Sequence, residues 1–366
     1  MHASDAIQRV LSSIGDLDQR AMEMARRRQD SLTKPHGSLG VLEEIGVKLS
    51  GITGELFPIL DTKVVVVMAA DHGVTQEGVS AYPSEVTAQM VLNFLKGGAA
   101  INVLARYVGA KVHVVDVGVA AQIPSAPEQS LRAGGATCFT QAKVRPGTAN
   151  MCKGPAMTRS EAEQALAVGI AVAREEISRG AKLLATGDMG IGNTTASAAV
   201  FCALTGIPAI AVVGRGTGIA EAKVAHKAAA VERAIQFNRP NPLDPIDVLA
   251  KVGGLEIAGI AGVILGAAHL RVPVVIDGFI SGAGAMVAYR LNPKVRNFMF
   301  PSHLSEEKGH KLMLQAMALQ PMLHMNMRLG EGTGACLAFM LIEAACRIQK
   351  EMATFAEASV STKLEV

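Results

Sequence analysis

The stretch VVVVMAADHG, Val64 to Gly73, decides the fold of this chain. A β-branched run ends in an aspartate with a glycine close behind, and the pattern recurs three times. VHVVDVG (Val112–Gly118) delivers Asp116, KLLATGDMG (Lys182–Gly190) delivers Asp188, and VPVVIDG (Val272–Gly278) delivers Asp277. Longer Ala-rich periodic segments separate the four runs. Short continuous apolar runs alternating with helical periodicity predict βαβ units and a mostly parallel sheet with helices on both faces. In such sheets ligands bind beyond the carboxyl ends of the strands. Singly, Asp71, Asp116, Asp188 and Asp277 read as ordinary turn and cap residues. Together they mark a polar cleft.

The flanks of this region differ. The chain to about Ser50 reads as helical, with a break at TKPHGSLG (Thr33–Gly40), and helical patterns return from Ser302 onward in SEEKGHKLMLQAMALQPM and GACLAFMLIEAACRIQKEMATFAEA. The expected organisation is a large α/β domain over 60–301 and a small helical domain built from 1–59 plus 302–366.

Composition narrows the function classes. The 366 residues are 49% hydrophobic and 18% charged, enough for a sizeable core. Thirty-five basic against 32 acidic side chains leave a net charge of +3, too balanced to make nucleic acid or a membrane surface the main partner. Aromatic residues are 4% with no Trp, which argues against base-stacking platforms. The five cysteines are scattered and form no CxxC pair, so the sequence supports neither a zinc site nor a disulfide framework. They read as reduced thiols of a cytoplasmic protein. The N-terminal pattern is charged and amphipathic, and the apolar stretch Ile257–Leu270 is too short to span a bilayer.

Four segments carry candidate chemistry. TGDMGIGNTTASAA (Thr186–Ala199) follows a strand and opens a helix. Gly190 and Gly192 permit a tight backbone, and Asn193 or Thr194 is placed to cap. Amides exposed at such a turn form an anion site. The run lacks the third glycine of a dinucleotide fingerprint and the GK[ST] of a Walker loop. VVGRGTGIAEAKVAHKAA (Val212–Ala229) sets Arg215 among glycines and Lys227 in the helix that follows, and an arginine fork suits phosphate or carboxylate. AADHGVTQEGVSAYPSEVTAQMVLNF (Ala69–Phe94) leads into a helix near Ser84, with Ser80, Tyr82 and Gln89 offering hydrogen bonds beside Val79 and Met90. His72 there offers a base, although a lone histidine after an aspartate is more often structural. In MRLGEGTGACLAFM (Met327–Met340), Glu331 stands among Gly330, Gly332 and Gly334 ahead of a helix. The helix dipole favours an acid there and would keep it ionised, but it leaves the glycines unexplained. An uncrowded carboxylate is a candidate general base.

Ten motifs now stand in one order: KPHGSLG, AADHGV, GVSAYPSEVTAQM, GTANM, GPAMTR, GDMGIGNTT, GRGTGI, DGFISGAGA, PSHLSEEKGH and RLGEGTGA. This array resembles the nicotinate-nucleotide–dimethylbenzimidazole phosphoribosyltransferase family, from about Lys34 to about Cys346. The resemblance implies a Rossmann-like parallel sheet, a small helical domain from both termini, and a homodimer whose active site is completed by the partner. It implies phosphoribosyl transfer from nicotinate mononucleotide to a benzimidazole-type base in cobalamin biosynthesis, with inversion at the anomeric carbon and no metal or cofactor. Glu331 matches the family's base and Asp188 is a second catalytic candidate. Gly190, Gly192, Asn193, Thr194, Arg215 and Lys227 would cradle ribose and phosphate, with Ser305 near the phosphoribosyl group. Ser80 and Gln89 would surround the benzimidazole, walled by Met189 and Leu329, and Gly330 is a further substrate-binding candidate. Two departures stand out: Asp188 where many relatives carry Glu, and His36 where many carry Pro. The rival readings are a Mg²⁺-dependent phosphotransferase on the strand-end aspartates and a non-catalytic nucleotide-binding protein.

Overall fold

In the computed structural model, described over residues 3–124, 137–216, 218 and 221–361, six parallel strands form one sheet in the order β3-β2-β1-β4-β5-β6. The strands are β1 (Lys63–Ala70), β2 (Ala110–Gly118), β3 (Thr137–Gln141), β4 (Leu183–Met189), β5 (Val274–Ile276) and β6 (Met299–Pro301). Before the sheet come α1 (Ala3–Ser13), α2 (Gln19–Ser31) and α3 (Val41–Thr53). Between the strands run α4 (Glu85–Leu95), α5 (Ala100–Val108), α6 (Arg159–Ser178), α7 (Asn193–Thr205), α8 (Ala209–Val212), α9 (Glu221–Asn238), α10 (Pro245–Val252), α11 (Leu255–His269) and α12 (Phe279–Leu291). After it come α13 (His310–Ala316) and α14 (Thr333–Glu351). The fold is the α/β parallel-sheet architecture that the strand pattern predicts.

Every residue of β1 is buried. A strand covered on both faces has no reason to alternate polar and apolar side chains, which is why it reads as an unbroken run. Successive side chains still point to opposite faces. The Cγ1 of Val65 lies where it would meet a β-carbon on Gly332, just ahead of α14. The thioether of Met68 packs on Gly259 of α11 in the same way. Helix α11 is apolar around its whole circumference, and every residue from Leu255 to Ala268 is buried. Gly169 of α6 and Gly262 of α11 let the two helices approach at backbone distance. Apolar-all-round helices are core helices, as the length of Ile257–Leu270 had implied.

The N- and C-terminal segments meet. Arg28 of α2 donates Nε to Gln349 O at 3.0 Å and Nη2 to Met352 O at 2.8 Å. Gln349 in turn donates to Ser50 Oγ at 2.9 Å. Helix α14 also reaches the sheet, so it joins the terminal helices to the strand ends.

One expected helix is shorter than its periodicity suggested. From SEEKGHKLMLQAMALQPM only His310–Ala316 is α-helical. Ser305 N–H donates to His310 Nδ1 at 2.9 Å, which holds the preceding segment as a turn. At the other end Ala318 takes a left-handed backbone, φ +51°, and Leu319 N–H returns to Leu314 O at 2.9 Å. That six-to-one bond ends the helix as a left-handed cap does.

Candidate active site

The strand order reverses direction between β1 and β4, and a cleft of about 640 Å³ opens beyond their carboxyl ends. This is the switch point where open α/β sheets bind ligands. Five loop segments, one of them reaching in through Gly216 between α8 and α9, and one helix face contribute to it. The β4–α7 loop supplies Asp188, Met189, Gly190, Asn193 and Thr194, and the segment before α14 supplies Arg328, Leu329, Gly330 and Glu331. Phe279 and Ile280 enter from the start of α12, His303, Ser305 and Glu307 from beyond β6, and Tyr82, Val86 and Met90 from α4 and its approach. A larger depression of about 780 Å³ lies elsewhere, lined by Arg26, Glu43, Lys48 and Arg296 among others. It holds none of the motif residues.

Nine of the expected site residues therefore line one cavity: Asp188, Met189, Gly190, Asn193, Thr194, Ser305, Leu329, Gly330 and Glu331. Lys227 stands one layer behind, its buried Nζ donating to Thr194 Oγ1 at 2.8 Å. Burial pulls its ammonium down to about 8, against the attraction of Glu307. Gly192 also stays behind the wall. Its φ of +95° opens α7, and a β-carbon there would lie 2.9 Å from Thr75 Cγ2. Ser80, Gln89 and Arg215 do not line the cavity. Ser80 Oγ instead accepts the Tyr82 amide at 3.2 Å. Gln89 points from α4 beside the lining Val86 and Met90, and is exposed.

The expected caps also change. Gly192 is the N-cap of α7, with no side-chain cap bond. Asn193 turns back into the site instead and donates Nδ2 to Asp188 Oδ2 at 2.9 Å. The start of α7 still faces the cleft, through Asn193 and Thr194, as an anion site requires.

The four strand-end aspartates separate in three dimensions. Asp71 Oδ2 accepts the Ala120 amide at 2.8 Å. Asp116 accepts the Val119 amide at 2.8 Å and pairs with Lys143 at 3.3 Å. Both are loop clamps. Asp277 accepts the amides of Gly332 at 3.1 Å and Ala335 at 3.0 Å, and so caps α14. Only Asp188 of the four lines the cleft. Among the described residues they form no cluster able to share a metal ion.

Glu331 is 5% exposed, and its Oε2 accepts the amide of Ile101 at 3.2 Å. That amide belongs to the first turn of α5. The dipole that favours the carboxylate is thus that of α5 and not of α14, the helix Glu331 precedes in sequence. Burial nevertheless outweighs it. Desolvation, opposed by the Ile101 bond and aided by the charge of Asp277, raises the Glu331 pKa above its ordinary value. The expectation of a dipole-held, readily ionised acid is corrected in that respect. Asp188 is pushed much further up, first by burial and then by Asp277, Glu256 and Glu331, against the hydrogen bond from Asn193. Its Oδ1 has no hydrogen-bond partner among the described residues.

The glycines around Glu331 have a backbone cause. Gly330, Glu331 and Gly332 are consecutive left-handed residues, with φ of +84°, +64° and +91°. A β-carbon at Gly332 would lie 2.6 Å from Val65 Cγ1, and one at Gly330 would lie 3.1 Å from Asp188 Oδ2. Glu331 alone bears the left-handed penalty, a strain of the kind found at functional sites.

His72 takes the structural role. It is fully buried and shares a 2.7 Å hydrogen bond with Glu256 Oε1. Three further lining residues, His303 and Glu307 of PSHLSEEKGH and Arg328 of RLGEGTGA, fall within the ordered motifs, but no local pattern marks them as site residues. They sit in irregular segments whose direction depends on β6 and α13, not on local pattern.

Against known proteins, the chain matches a family model described as phosphoribosyltransferase over residues 14–360. It is 58% identical over 355 residues to the nicotinate-nucleotide–dimethylbenzimidazole phosphoribosyltransferase of Chloroflexus aggregans, covering 97% of this chain and 98% of that one. It is 54% identical to the protein of the same name from Geobacter sulfurreducens, covering 96% and 97%. The crystal structure of CobT from Thermus thermophilus superposes with a TM-score of 0.88 at 50% identity, over 94% of this chain and all of that one.

Proposed function

The chain belongs to the nicotinate-nucleotide–dimethylbenzimidazole phosphoribosyltransferase family, and from that premise we infer how its cleft performs the family reaction. The enzyme moves the phosphoribosyl group of nicotinate mononucleotide to 5,6-dimethylbenzimidazole, a step of cobalamin biosynthesis. One azole nitrogen attacks the anomeric carbon from the face opposite nicotinate, forming the new C–N bond. The glycosidic bond to nicotinate breaks, its electron pair passes to the pyridinium nitrogen, and the β-linked substrate gives an α-linked product. Positive charge grows on the azole, and its other N–H becomes acidic.

Glu331 is the base that takes that proton. Its carboxyl lines the cleft, is held by the Ile101 amide and has a raised pKa. That placement is the observation supporting the reading. A carboxylate raised toward working pH is a better proton acceptor than an ordinary one. Asp188, its pKa raised by burial and by the neighbouring carboxylates, faces the substrate hydroxyls proposed for the same cleft. The start of α7 and Lys227, through Thr194, lie on the side proposed for the phosphate, with Ser305. Met189, Leu329, Val86 and Met90 form the apolar walls for the azole. In this assignment Gln89, Ser80 and Arg215 act only on a rearranged or completed site.

A division at 60–301 and 1–59 plus 302–366 puts Asp188 on the α/β unit and Glu331 on the helical unit. We also propose a homodimer, supported by the family premise and by the exposed apolar side chains of Tyr82 and Leu329 on the cleft rim. A cytoplasmic location is proposed with it; no helix among the described residues is long and apolar enough to cross a membrane. Light scattering with size exclusion tests the dimer, and a monomer at working concentration overturns it.

Incubation of the purified protein with nicotinate mononucleotide and dimethylbenzimidazole tests the assignment. Nicotinate and α-ribazole phosphate are expected in equal amounts, undiminished by a chelator. Absence of product overturns the reaction. Loss of product in the chelator that magnesium alone restores would instead favour the metal-dependent alternative.

A further inference from the structure

Outside the cleft, three side chains with metal-binding atoms converge on one face of the sheet. His113 of β2 and Cys138 of β3 are directly paired across the strands, so their side chains share a face. Glu176, in the last turn of α6, reaches that face from above. The nearest donor atoms of the three all lie within 4.8 Å of one another. His113 Nδ1 and Glu176 Oε1 are 2.7 Å apart. His113 and Glu176 are buried and Cys138 is half-buried. No other such group occurs among the described residues.

We propose that His113, Cys138 and Glu176 form a binding site for a zinc-class divalent cation, with a fourth position open to water. The donor set fits that class. A thiolate and a carboxylate cancel the double charge, and sulfur, imidazole and carboxylate are all ordinary zinc ligands at about 2.0–2.3 Å. Thr140 Oγ1 lies 2.8 Å from His113 Nε2. Without metal, Nδ1 donates its proton to Glu176 Oε1. Metal binding releases that proton to solvent, and Thr140 accepting the Nε2 proton is then the outer-shell arrangement that fixes a ligating histidine. Without metal, Lys111 Nζ occupies the carboxylate, at 2.8 and 2.9 Å from its two oxygens, and Arg179 Nη1 stands 3.7 Å from Oε1. Both are more exposed than Glu176, and the ion displaces the Lys111 ammonium toward solvent. None of the three donors lines the catalytic cleft. The ion would clamp β3 to β2 and α6, and take no part in the reaction.

Cobalt(II) titration of the reduced full-length protein tests this. A sulfur-to-cobalt charge-transfer band in the near ultraviolet should grow to one equivalent and be erased by added zinc. Cys138→Ser should abolish the band while leaving the metal-free circular dichroism unchanged. Thr140→Val should weaken binding about 10–100-fold. Lys111→Met, which removes the competing ammonium, should tighten it. Absence of the band, or its survival in Cys138→Ser, overturns the proposal. Because the readout is spectroscopic, it stands apart from the transferase assay: activity without the band refutes the site alone.

Discussion

The carboxylate of Glu331 accepts a hydrogen bond from the backbone amide of Ile101, 3.2 Å away across 230 residues of sequence. This bond orients the proposed base, and Glu331→Gln keeps its acceptor oxygen while losing the proton-accepting charge. The variant is expected to fold as the wild type does and to lose about 10²–10⁴-fold in kcat, measured by nicotinate release. Full activity in it would remove Glu331 as the base.

The raised Glu331 pKa gives the acid limb of the rate profile. Below that pKa the group is protonated and cannot accept the azole proton. kcat/KM should therefore fall as pH drops, with a midpoint above the ordinary glutamate value of 4.5. In Glu331→Gln that limb should disappear from the residual rate.

Asp188 makes the corresponding stability prediction. Folding raises its pKa well above 3.8, so the folded state prefers the protonated form. Its destabilising contribution is absent below the unfolded value and grows as pH rises through the folded one. Asp188→Asn should raise Tm near neutrality, change it little near pH 4, and flatten the dependence between. Equal shifts at both pH values would show that the carboxyl is not the cause.

Lys227 titrates at about 8. If its ammonium supports the phosphate through Thr194, KM for nicotinate mononucleotide should rise above that pH while KM for the base stays level. Lys227→Met should show a high KM at every pH and no such rise.

Gly332 tests the turn itself. Gly332→Ala forces a left-handed alanine, about 1–2 kcal/mol, and places its methyl against Val65. Asp277→Asn leaves one of two amides, Gly332 or Ala335, without its acceptor, about 1–3 kcal/mol. Urea denaturation should register both losses, and both should lower kcat by displacing Glu331. Unchanged kcat in a destabilised Asp277→Asn would mean that the cap does not position the base.

Much of this molecule is legible in its sequence, and for identifiable reasons. The runs around Val64, Val112, Leu183 and Val274 are strands, because continuous β-branched segments bounded by Asp and Gly have few other local solutions. The loop Asp188–Thr194 is legible as a ligand turn, because glycines ahead of a helix are a local signal. Family resemblance picks Glu331. The helix expected over residues 305–322 fails because a bond from Ser305 to His310 and a left-handed Ala318 override periodicity, and neither is encoded by residue type alone.

By itself, the sequence determined the parallel α/β architecture, its family and the residues most able to act. These follow from short-range backbone preference and from motif order. Only the tertiary structure decided which aspartate faces the cleft, which two clamp loops and which one caps α14. The direction of a side chain at a strand end is set by the neighbouring loops it meets. It also decided the reason for the glycines around Glu331. They allow a left-handed turn wedged between Val65 and Asp188, and that turn delivers the carboxylate to the amide of Ile101. Such contacts join residues far apart in the chain, and packing alone brings them together.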